Sequence, residues 1–182
     1  MQSQLFEYED VIIRCLIQSD LITYKALRLF SLKESQYSFS DSFNDIRAKA
    51  DSFFLKEIEC DWMNLETFTL GVFLKNTNDL IGFANFSRDK RYNARHKSMI
   101  HRTYIHPKHR RNNFGKKLLH AIINIASIIQ ELEQIHIWVL ILNNKTQEFY
   151  EKVGFVSQGT IVQKDLKIKG VYVDAMYMVF YF

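Results

Sequence analysis

Residues 99–129 read MIHRTYIHPKHRRNNFGKKLLHAIINIASII, and this stretch decides how the rest of the chain is interpreted. It predicts a strand over residues 99–105, which Pro107 ends because proline has no N–H to donate to a sheet. A short basic loop follows over residues 108–113. From Phe114 onward the apolar residues recur at helical spacing, so one face of this helix should pack on a sheet.

The junction between this strand and this helix is suited to an anion. The first turn of a helix leaves N–H groups without partners, and the helix dipole places partial positive charge there, where phosphate fits. The junction also carries basic side chains, at Arg110, Arg111, Lys116 and Lys117. Asn113 and Gly115 tolerate unusual backbone angles, which would let main-chain N–H groups converge on a ligand.

From Ile105 to Gly115 the sequence resembles the acetyl-CoA-binding motif of the GNAT superfamily of N-acetyltransferases, Val/Ile-x-Pro-x-x-Arg-Gly-x-Gly-x-Gly/Ala. Arg110 matches the leading arginine, and Gly115 matches the last small residue. Arg111 and Asn113 stand where glycines are usual. Asparagine visits the left-handed region more often than most residues, and the position of Arg111 is variable in the motif. We therefore expect neither departure to alter the binding loop much. An ordinary basic loop is the alternative that the motif alone leaves open.

A second motif follows one helix and one strand later. Residues 143–155 resemble the GNAT signature Asn-x-x-Ala-x-x-Leu/Phe-Tyr-x-x-x-Gly-Phe, with Thr146 in place of the usual alanine. The other marked positions match, at Asn143, Phe149, Tyr150, Gly154 and Phe155. Two independent motifs in the expected order and at the expected distance are far more specific than either motif alone.

Patterns elsewhere predict the element order β, α, α, β, β, β, α, β, α, β, β. The predicted strands are residues 11–17, 68–74, 80–87, 98–106, 134–142, 155–164 and 171–180, and the helices are residues 21–34, 43–58, 114–129 and 143–152. This order predicts an α/β fold with a central, mostly antiparallel mixed sheet flanked by helices, in which residues 99–142 supply one parallel pair. The GNAT acyl-CoA N-acyltransferase fold has the same order.

Length and composition are those of one domain. The chain has 182 residues, of which 47% are apolar, and this is enough for a proper core. Its net charge of +4 is compatible with an anionic ligand but too small to indicate nucleic acid. The N-terminal MQSQLFEYED is neither a signal nor a transit peptide, and no apolar run has the length of a membrane span. We expect one cytoplasmic domain over residues 1–182, without nucleic-acid or membrane partners.

Neither the cysteines nor the histidines are spaced like metal ligands. Cys15 and Cys60 lie far apart in the sequence, and we expect free, buried thiols in a reducing compartment. The six histidines gather loosely around the central stretch without an H-x-x-x-H or C-x-x-C pattern. We therefore expect no metal.

The resemblance implies transfer of an acetyl group from acetyl-CoA, the co-substrate, to the primary amine of a small molecule or protein by direct attack. This chemistry needs a held co-substrate, a donor to the oxyanion, a base for the ammonium and an acid for the thiolate. The alternative is a GNAT-like module that binds acyl-CoA without catalysis. It is supported by the absence of a carboxylate from residues 98–106, where the family often places a glutamate base.

The resemblance also assigns cofactor-binding residues. The pyrophosphate should lie on the loop made by Arg110, Arg111, Asn112, Asn113, Phe114, Gly115 and Lys116, bound mainly by backbone N–H groups. The pantetheine arm should pair with the backbone of Thr103, Tyr104 and Ile105, and Asn143 should hydrogen-bond the arm. A backbone N–H near Tyr104 or Ile105 is the expected oxyanion donor.

Tyr150 and His101 are the catalytic candidates. Tyr150 is the expected general acid, because a phenol with a pKa of about 10 is protonated at neutral pH. The alternative for Tyr150 is an aromatic side chain that only packs. His101 is the best nearby base, since its ordinary pKa of about 6.5 lies near working pH. Side-chain alternation along the strand leaves open which face meets the site.

The acceptor pocket is less well defined. Residues 26–43 resemble the GNAT segment in which an arginine-containing helix leads into a loop with an aromatic residue that lines this pocket, and a plain surface helix-loop-helix is the alternative. Residues 88–97 are expected to border it too. Candidate carboxylates for a cationic acceptor are Asp41, Asp45 and Glu66. The apolar residues 177–182 either pair with a second subunit or finish the core, so monomer and homodimer both stay open.

Overall fold

The computed structural model describes residues 5–61, 63–141 and 144–182. The strands are β1 (Leu5–Glu7), β2 (Val11–Cys15), β3 (Thr67–Leu74), β4 (Leu80–Arg88), β5 (Lys97–Ile105), β6 (Gln134–Ile141), β7 (Val156–Ile168) and β8 (Val171–Tyr181). The helices are α1 (Leu21–Glu34), α2 (Phe43–Arg47), α3 (Asp51–Ile58), α4 (Phe114–Ala126) and α5 (Asn144–Glu151). Within these described ranges, no helix has the length and apolar character needed to cross a bilayer.

The strands form one mixed sheet in the order β1-β2-β3-β4-β5-β6-β8-β7. In the described part of the chain β5 and β6 pair in parallel, and the other neighbouring strands pair antiparallel. The parallel pair is the one that the sequence predicts, because α4 crosses over from the end of β5 to the start of β6. The predicted α/β fold with a mostly antiparallel sheet is therefore confirmed.

The helices pack on the sheet through two apolar clusters. The cluster beneath α4 includes Leu118, Leu119 and Ile122, which are fully buried. Burying each such side chain contributes about 1.5–3 kcal/mol relative to leaving it in water. The other cluster joins α1 and α3 to the sheet and includes the buried rings of Tyr24 and Phe54. The helices α1 and α4 are thus held rigidly beside the ends of the central strands.

The observed elements differ from the predicted ones at three places. The strand β1 is absent from the prediction, because LFE is too short to show a pattern. The helix predicted over residues 43–58 is two helices, since Ala50 has extended backbone angles (φ −67°, ψ 162°) and begins α3 afresh. The helix predicted to reach Ile129 ends at Ala126, although Ile129 is still buried.

The last strand finishes the sheet. β8 pairs with β6 on one side and, as far as Val179, with β7 on the other. Its turn with β7 contains Lys169 and Gly170, which both have positive φ, as a tight hairpin turn requires. Within residues 177–182, Met178 and Val179 are buried in the core, whereas Tyr181 and Phe182 are about half exposed.

The two cysteines meet in space. The Sγ atoms of Cys15 and Cys60 lie 3.9 Å apart, and both thiols are free. Cys15 is buried, as expected, but Cys60 is partly exposed because it follows the end of α3 at the surface. Among the described residues, no group of three or more His, Cys, Asp and Glu side chains could hold a metal ion.

A bulge in β5 creates the space for the site. Phe83 pairs with Tyr104 and Asn85 with His101, so two residues of β5 lie opposite the single residue between them on β4. One of the two, Arg102, has a φ of 53°, and the regular alternation of side chains is broken there. The pairing between β5 and β6 stops at Ile100 and Ile137, and beyond that point the two strands separate.

Candidate active site

Two adjoining cavities open where β5 and β6 separate. The larger has a volume of about 890 Å³ and lies between the ends of these strands, the loop before α4, and α5. The smaller has a volume of about 180 Å³ and lies between the strands and residues 38–41. Six residues line both cavities, namely Ser38, Phe39, Thr103, Trp138, Leu140 and Tyr150. These residues therefore stand at the boundary between the two spaces.

The larger cavity collects most of the residues predicted to bind the cofactor. Its lining includes Thr103, Tyr104, Ile105, Arg110, Arg111, Asn113, Phe114, Gly115 and Lys116. Asn112 is not part of the lining, and Asn143 lies outside the described residues. Lys145, Thr146 and Phe149 of α5 also line the cavity and are missing from the prediction, although Thr146 and Phe149 belong to the second motif. The two motifs, separate in sequence, form the walls of one cavity.

The loop before α4 adopts left-handed backbone angles at two positions. Asn113, the residue that begins α4, has a φ of 59° and a ψ of 10°. Arg111 has a φ of 68°, so the expectation that its departure from glycine matters little is wrong. Residues with positive φ cost roughly 1–2 kcal/mol unless they are glycine, asparagine or aspartate. The glycines usual at both positions of the motif thus have a conformational reason.

Gly115 provides a close approach between two helices. A Cβ atom at this position would lie 3.2 Å from the Phe149 Cζ atom of α5 and 3.7 Å from Ile105 Cγ1. The first turn of α4 can approach α5 this closely because residue 115 has no side chain. The cavity wall at Gly115 is consequently backbone.

Arg110 is engaged with the protein. Its Nε donates to the Ile105 carbonyl at 3.0 Å, and its Nη atoms donate to the Glu34 carboxylate at 2.7 and 3.2 Å. Tyr104 also donates to Glu34, at 3.1 Å. Burial works against the charge of Glu34, but hydrogen bonds from Ser35 and Arg110 lower the pKa of its carboxyl. Arg110 therefore fixes the shape of the loop, rather than leaving its guanidinium open to the cavity.

Tyr150 lies at the boundary of the cavities in an aromatic setting. Its ring packs edge-on against Phe149 and Phe155, with centroid distances of 5.2 and 5.8 Å. Burial raises the pKa of the phenol, and the Thr103 side chain lowers it in part. The net shift is upward, so the Tyr150 hydroxyl carries its proton at neutral pH. The Gly-Phe end of the second motif places Phe155 against this ring.

His101 lines the smaller cavity and is neutral at pH 7. Burial lowers the pKa of the imidazole, the Arg102 guanidinium lowers it further, and Asp41 opposes the shift. The Ser87 Oγ atom lies 3.0 Å from His101 Nε2 in a hydrogen bond. No described residue hydrogen-bonds Nδ1. In the tautomer whose Nε2–H donates to Ser87, Nδ1 has a free lone pair and can accept a proton. The bulge at Arg102 is what places His101 beside the cavity.

An ion cluster lies beside the smaller cavity, formed by Arg28, Asp41, Glu57 and Arg102. The Asp41 carboxylate hydrogen-bonds Arg28 and lies 3.4 Å from Arg102 Nε, while Glu57 Oε1 lies 3.3 Å from the same Nε. Arg28 is completely buried, and its Nε and Nη1 atoms have no hydrogen-bond partner. The prediction that residues 26–43 contribute an arginine-bearing helix and the loop with Phe39 to the acceptor region is consistent with this arrangement.

Other acceptor-side predictions are corrected by the structure. Asp41 lines the smaller cavity, whereas Asp45 and Glu66 line neither cavity. Residues 88–97 also line neither cavity, so the expectation that they border the acceptor pocket is wrong. The Arg88 guanidinium instead donates hydrogen bonds to the Arg95 and Gln130 carbonyls, at 2.6 and 2.8 Å, and so ties the loop after β4 together.

Comparisons with known proteins agree with this geometry. The model of the acetyltransferase (GNAT) family matches residues 28–155. Spermidine N(1)-acetyltransferase from Vibrio cholerae is 30% identical over 83 residues, which are 46% of this chain. The chain spans about half the length of that relative, 47%.

Solved structures share the fold over nearly the whole chain. The ribosomal-protein-S5-alanine acetyltransferase from Vibrio fischeri has a TM-score of 0.79 and 19% identity, covering 98% of this chain and 96% of that one. A ribosomal L7/L12 α-N-protein acetyltransferase in complex with coenzyme A has a TM-score of 0.76 and 13% identity, covering 98% of each chain. Because the family match extends over well more than half of the residues, this chain belongs to the GNAT family of acetyltransferases.

Proposed function

We propose that this protein moves the acetyl group of acetyl-CoA to a primary amine by direct attack of the amine on the thioester. The observation that carries the proposal is the meeting of two cavities at Tyr150. One cavity is walled by both family motifs, and the other is walled by residues 38–41 and by His101. The GNAT family binds acetyl-CoA, and one structural neighbour is a coenzyme A complex.

The larger cavity fits the shape and charge of acetyl-CoA. The left-handed residues Arg111 and Asn113 and the start of α4 can turn N–H groups toward one concave surface, which suits a pyrophosphate. Arg111 and Lys116 add positive charge at its lining. Past Ile100 the edge of β5 has no partner on β6, so the backbone at residues 103–105 is available to pair with the extended pantetheine arm.

His101 and Tyr150 supply the proton transfers in this proposal. Acetyl-CoA, when bound, supplies the activated acyl group. His101 Nδ1 receives the proton that the acceptor amine loses, and its lowered pKa keeps it neutral and able to do so at pH 7. The Tyr150 hydroxyl gives its proton to the departing sulfur, and its raised pKa keeps that proton in place beforehand. A backbone N–H at Tyr104 or Ile105 stabilises the negative charge that develops on the acyl oxygen.

Calorimetric titration with acetyl-CoA, and with CoA for comparison, is the first test. We expect micromolar binding, which Gly115→Glu should abolish, because the added carboxylate repels phosphate and its side chain collides with Phe149. The matched control is Thr160→Glu, since Thr160 is exposed and lies outside both cavities. Circular dichroism should show that both variants are folded.

Release of the CoA thiol in the presence of a panel of primary amines is the second test. Turnover with at least one amine is the expected result. Acetyl-CoA binding without turnover of any amine would favour the non-catalytic acyl-CoA-binding module instead. A folded protein that fails to bind acetyl-CoA would overturn the proposal as a whole.

A further inference from the structure

The ion cluster beside the smaller cavity, which is the acceptor cavity of the proposed function, has no net negative charge. It contains two guanidiniums, Arg28 and Arg102, and two carboxylates, Asp41 and Glu57. Each carboxylate lies within 4 Å of both guanidiniums, and the Tyr24 hydroxyl also donates to Glu57, at 2.9 Å. Asp41 is the one carboxylate among the described residues that line the smaller cavity. A cationic acceptor therefore finds only carboxylates that are already neutralised.

Arg102 has the opposite character, because part of its guanidinium is uncommitted. Its Nε atom faces Asp41 and Glu57, at 3.4 and 3.3 Å. Its Nη1 and Nη2 atoms have no hydrogen-bond partner among the described residues. The side chain is 31% exposed and belongs to the cavity lining, in contrast to Arg28, which is fully enclosed. A guanidinium held by its Nε edge and open at its other edge is arranged to bind a carboxylate in two-pronged fashion.

The rest of the cavity wall combines polar groups, which make up the larger part of its exposed surface, with apolar side chains. The apolar side chains that contribute to it are Met99, Ile100, Ile137, Trp138 and Leu140. The Trp138 indole is fixed by a hydrogen bond from Nε1 to the Asp165 carboxylate, at 3.0 Å, and the side chain presents a large aromatic surface. The volume of about 180 Å³ has room for several water molecules, and so for a small organic group.

From this arrangement we infer that the acceptor is a free α-amino acid, whose carboxylate is bound by Arg102. The inference rests on the proposed function, since it names the amine that the same site acetylates. The carboxylate lies on the Nη atoms of Arg102, the amine lies toward His101 and Tyr150, and the side chain lies against Trp138. A polyamine has no carboxylate for these Nη atoms and would bring further positive charge beside the guanidinium.

The test compares acceptors that differ only at the carboxylate. Thiol release from saturating acetyl-CoA is measured with leucine, leucinamide and 3-methylbutylamine, with phenylalanine, its amide and 2-phenylethylamine, and with spermidine. We expect kcat/KM for each free amino acid to exceed that of its amide and its decarboxylated amine by roughly 10- to 100-fold, mostly through KM. Calorimetric titration of leucine into the protein with CoA bound gives the same comparison without turnover.

Variants of Arg102 assign the preference to its guanidinium. Arg102→Met should reduce the ratio of kcat/KM for leucine over 3-methylbutylamine by roughly 10-fold or more, and Arg102→Lys should restore part of it. An equal loss for both acceptors would show that Arg102 has only a structural role and would overturn the inference. The wild-type comparison stands even where a variant fails to fold.

Three further results decide against the amino acid. The first is an equal kcat/KM for the free amino acids and for their amides or decarboxylated amines. The second is a higher kcat/KM for spermidine than for either amino acid. The third is that neither leucine nor phenylalanine reacts or binds while acetyl-CoA binds. In each of these cases the acetyl-CoA site of the proposed function stays intact. Failure of the proposed function is distinct, because acetyl-CoA itself would then not bind.

Discussion

The Arg110 guanidinium and the Glu34 carboxylate form a two-pronged ion pair, with Nη2–Oε2 at 2.7 Å and Nη1–Oε1 at 3.2 Å. Glu34 is the last residue of α1, and the loop that follows it lines the smaller cavity and part of the larger one. Arg110 belongs to the loop before α4, which lines the larger cavity. This pair therefore ties together the two loops on which the two halves of the proposed site depend.

Separating the pair should weaken acetyl-CoA binding only moderately. Arg110→Gln leaves the Glu34 charge unpaired near the phosphate loop, and we expect a loss of affinity of about threefold to tenfold. The added change Glu34→Gln should recover part of it, with a coupling of about 0.5–1 kcal/mol, because partly exposed ion pairs are weak. Calorimetry on the two single variants and the double variant measures this, with Arg95→Gln as the control outside both cavities. A 100-fold loss without recovery would instead indicate that Arg110 binds phosphate directly.

Tyr150→Phe should lower turnover while sparing the cofactor site. The ring and its contacts with Phe149 and Phe155 remain, and only the proton donor is lost. We expect kcat to fall by about 100-fold or more, which is the usual contribution of a general acid, with the acetyl-CoA Kd within about twofold of wild type. Tyr172→Phe, at a residue on the exposed end of β8, is the matched control. Unaltered turnover in a folded Tyr150→Phe variant would remove Tyr150 as the acid.

The pH dependence of kcat/KM should report His101. Burial, with a further contribution from Arg102, lowers the pKa of this imidazole below its ordinary value of about 6.5. A base works in its neutral form, so activity should be lost as the pH falls through a midpoint below about 6.5 and be level above it until other groups titrate.

Two variants test that assignment. His101→Gln should remove this acid limb and lower kcat/KM, whereas Ser87→Ala should retain the limb with its midpoint shifted, since Ser87 hydrogen-bonds the Nε2 atom. An acid limb that is identical in wild type and in a folded, active His101→Gln variant would show that another group is the base.

The parts of the fold that the sequence predicts well are those governed by local pattern. The bounds of α1 are predicted as observed, and the run IHIWVLI gives β6 because a strand covered on both faces is continuously apolar. The break between α2 and α3 is missed because residues 48–50, AKA, favour helix locally. Ala50 is extended instead, since tertiary packing overrides such weak preferences.

The wall of the larger cavity is predictable from sequence and that of the smaller cavity largely is not. The loop from Arg110 to Gly115 is continuous in the chain, so a motif can identify it. The ion cluster joins Asp41 to Arg28 and Arg102, which lie 13 and 61 residues away in sequence. No local pattern connects such residues. The bulge at Arg102 is equally hidden, because an arginine with a φ of 53° leaves no signature in a strand that otherwise alternates.

Arg111→Gly should stabilise the protein. Arg111 has a φ of 68°, where a Cβ atom is unfavourable by roughly 1–2 kcal/mol and glycine has no such cost. The greater freedom of glycine in the unfolded chain offsets part of this gain. We expect the free energy of unfolding to rise by about 0.5–1 kcal/mol, as measured by denaturation in urea.

Two control variants separate backbone strain from loss of charge. Arg95→Gly makes the same change at an exposed residue with a right-handed φ of −62°, where no strain is relieved, so it should destabilise by about 0.5–1 kcal/mol. Arg111→Ala removes the same charge as Arg111→Gly but keeps a Cβ atom, so it should give no gain. Equal stabilisation by Ala and Gly would show that charge repulsion in the loop, rather than the left-handed backbone, is what Arg111 contributes to instability.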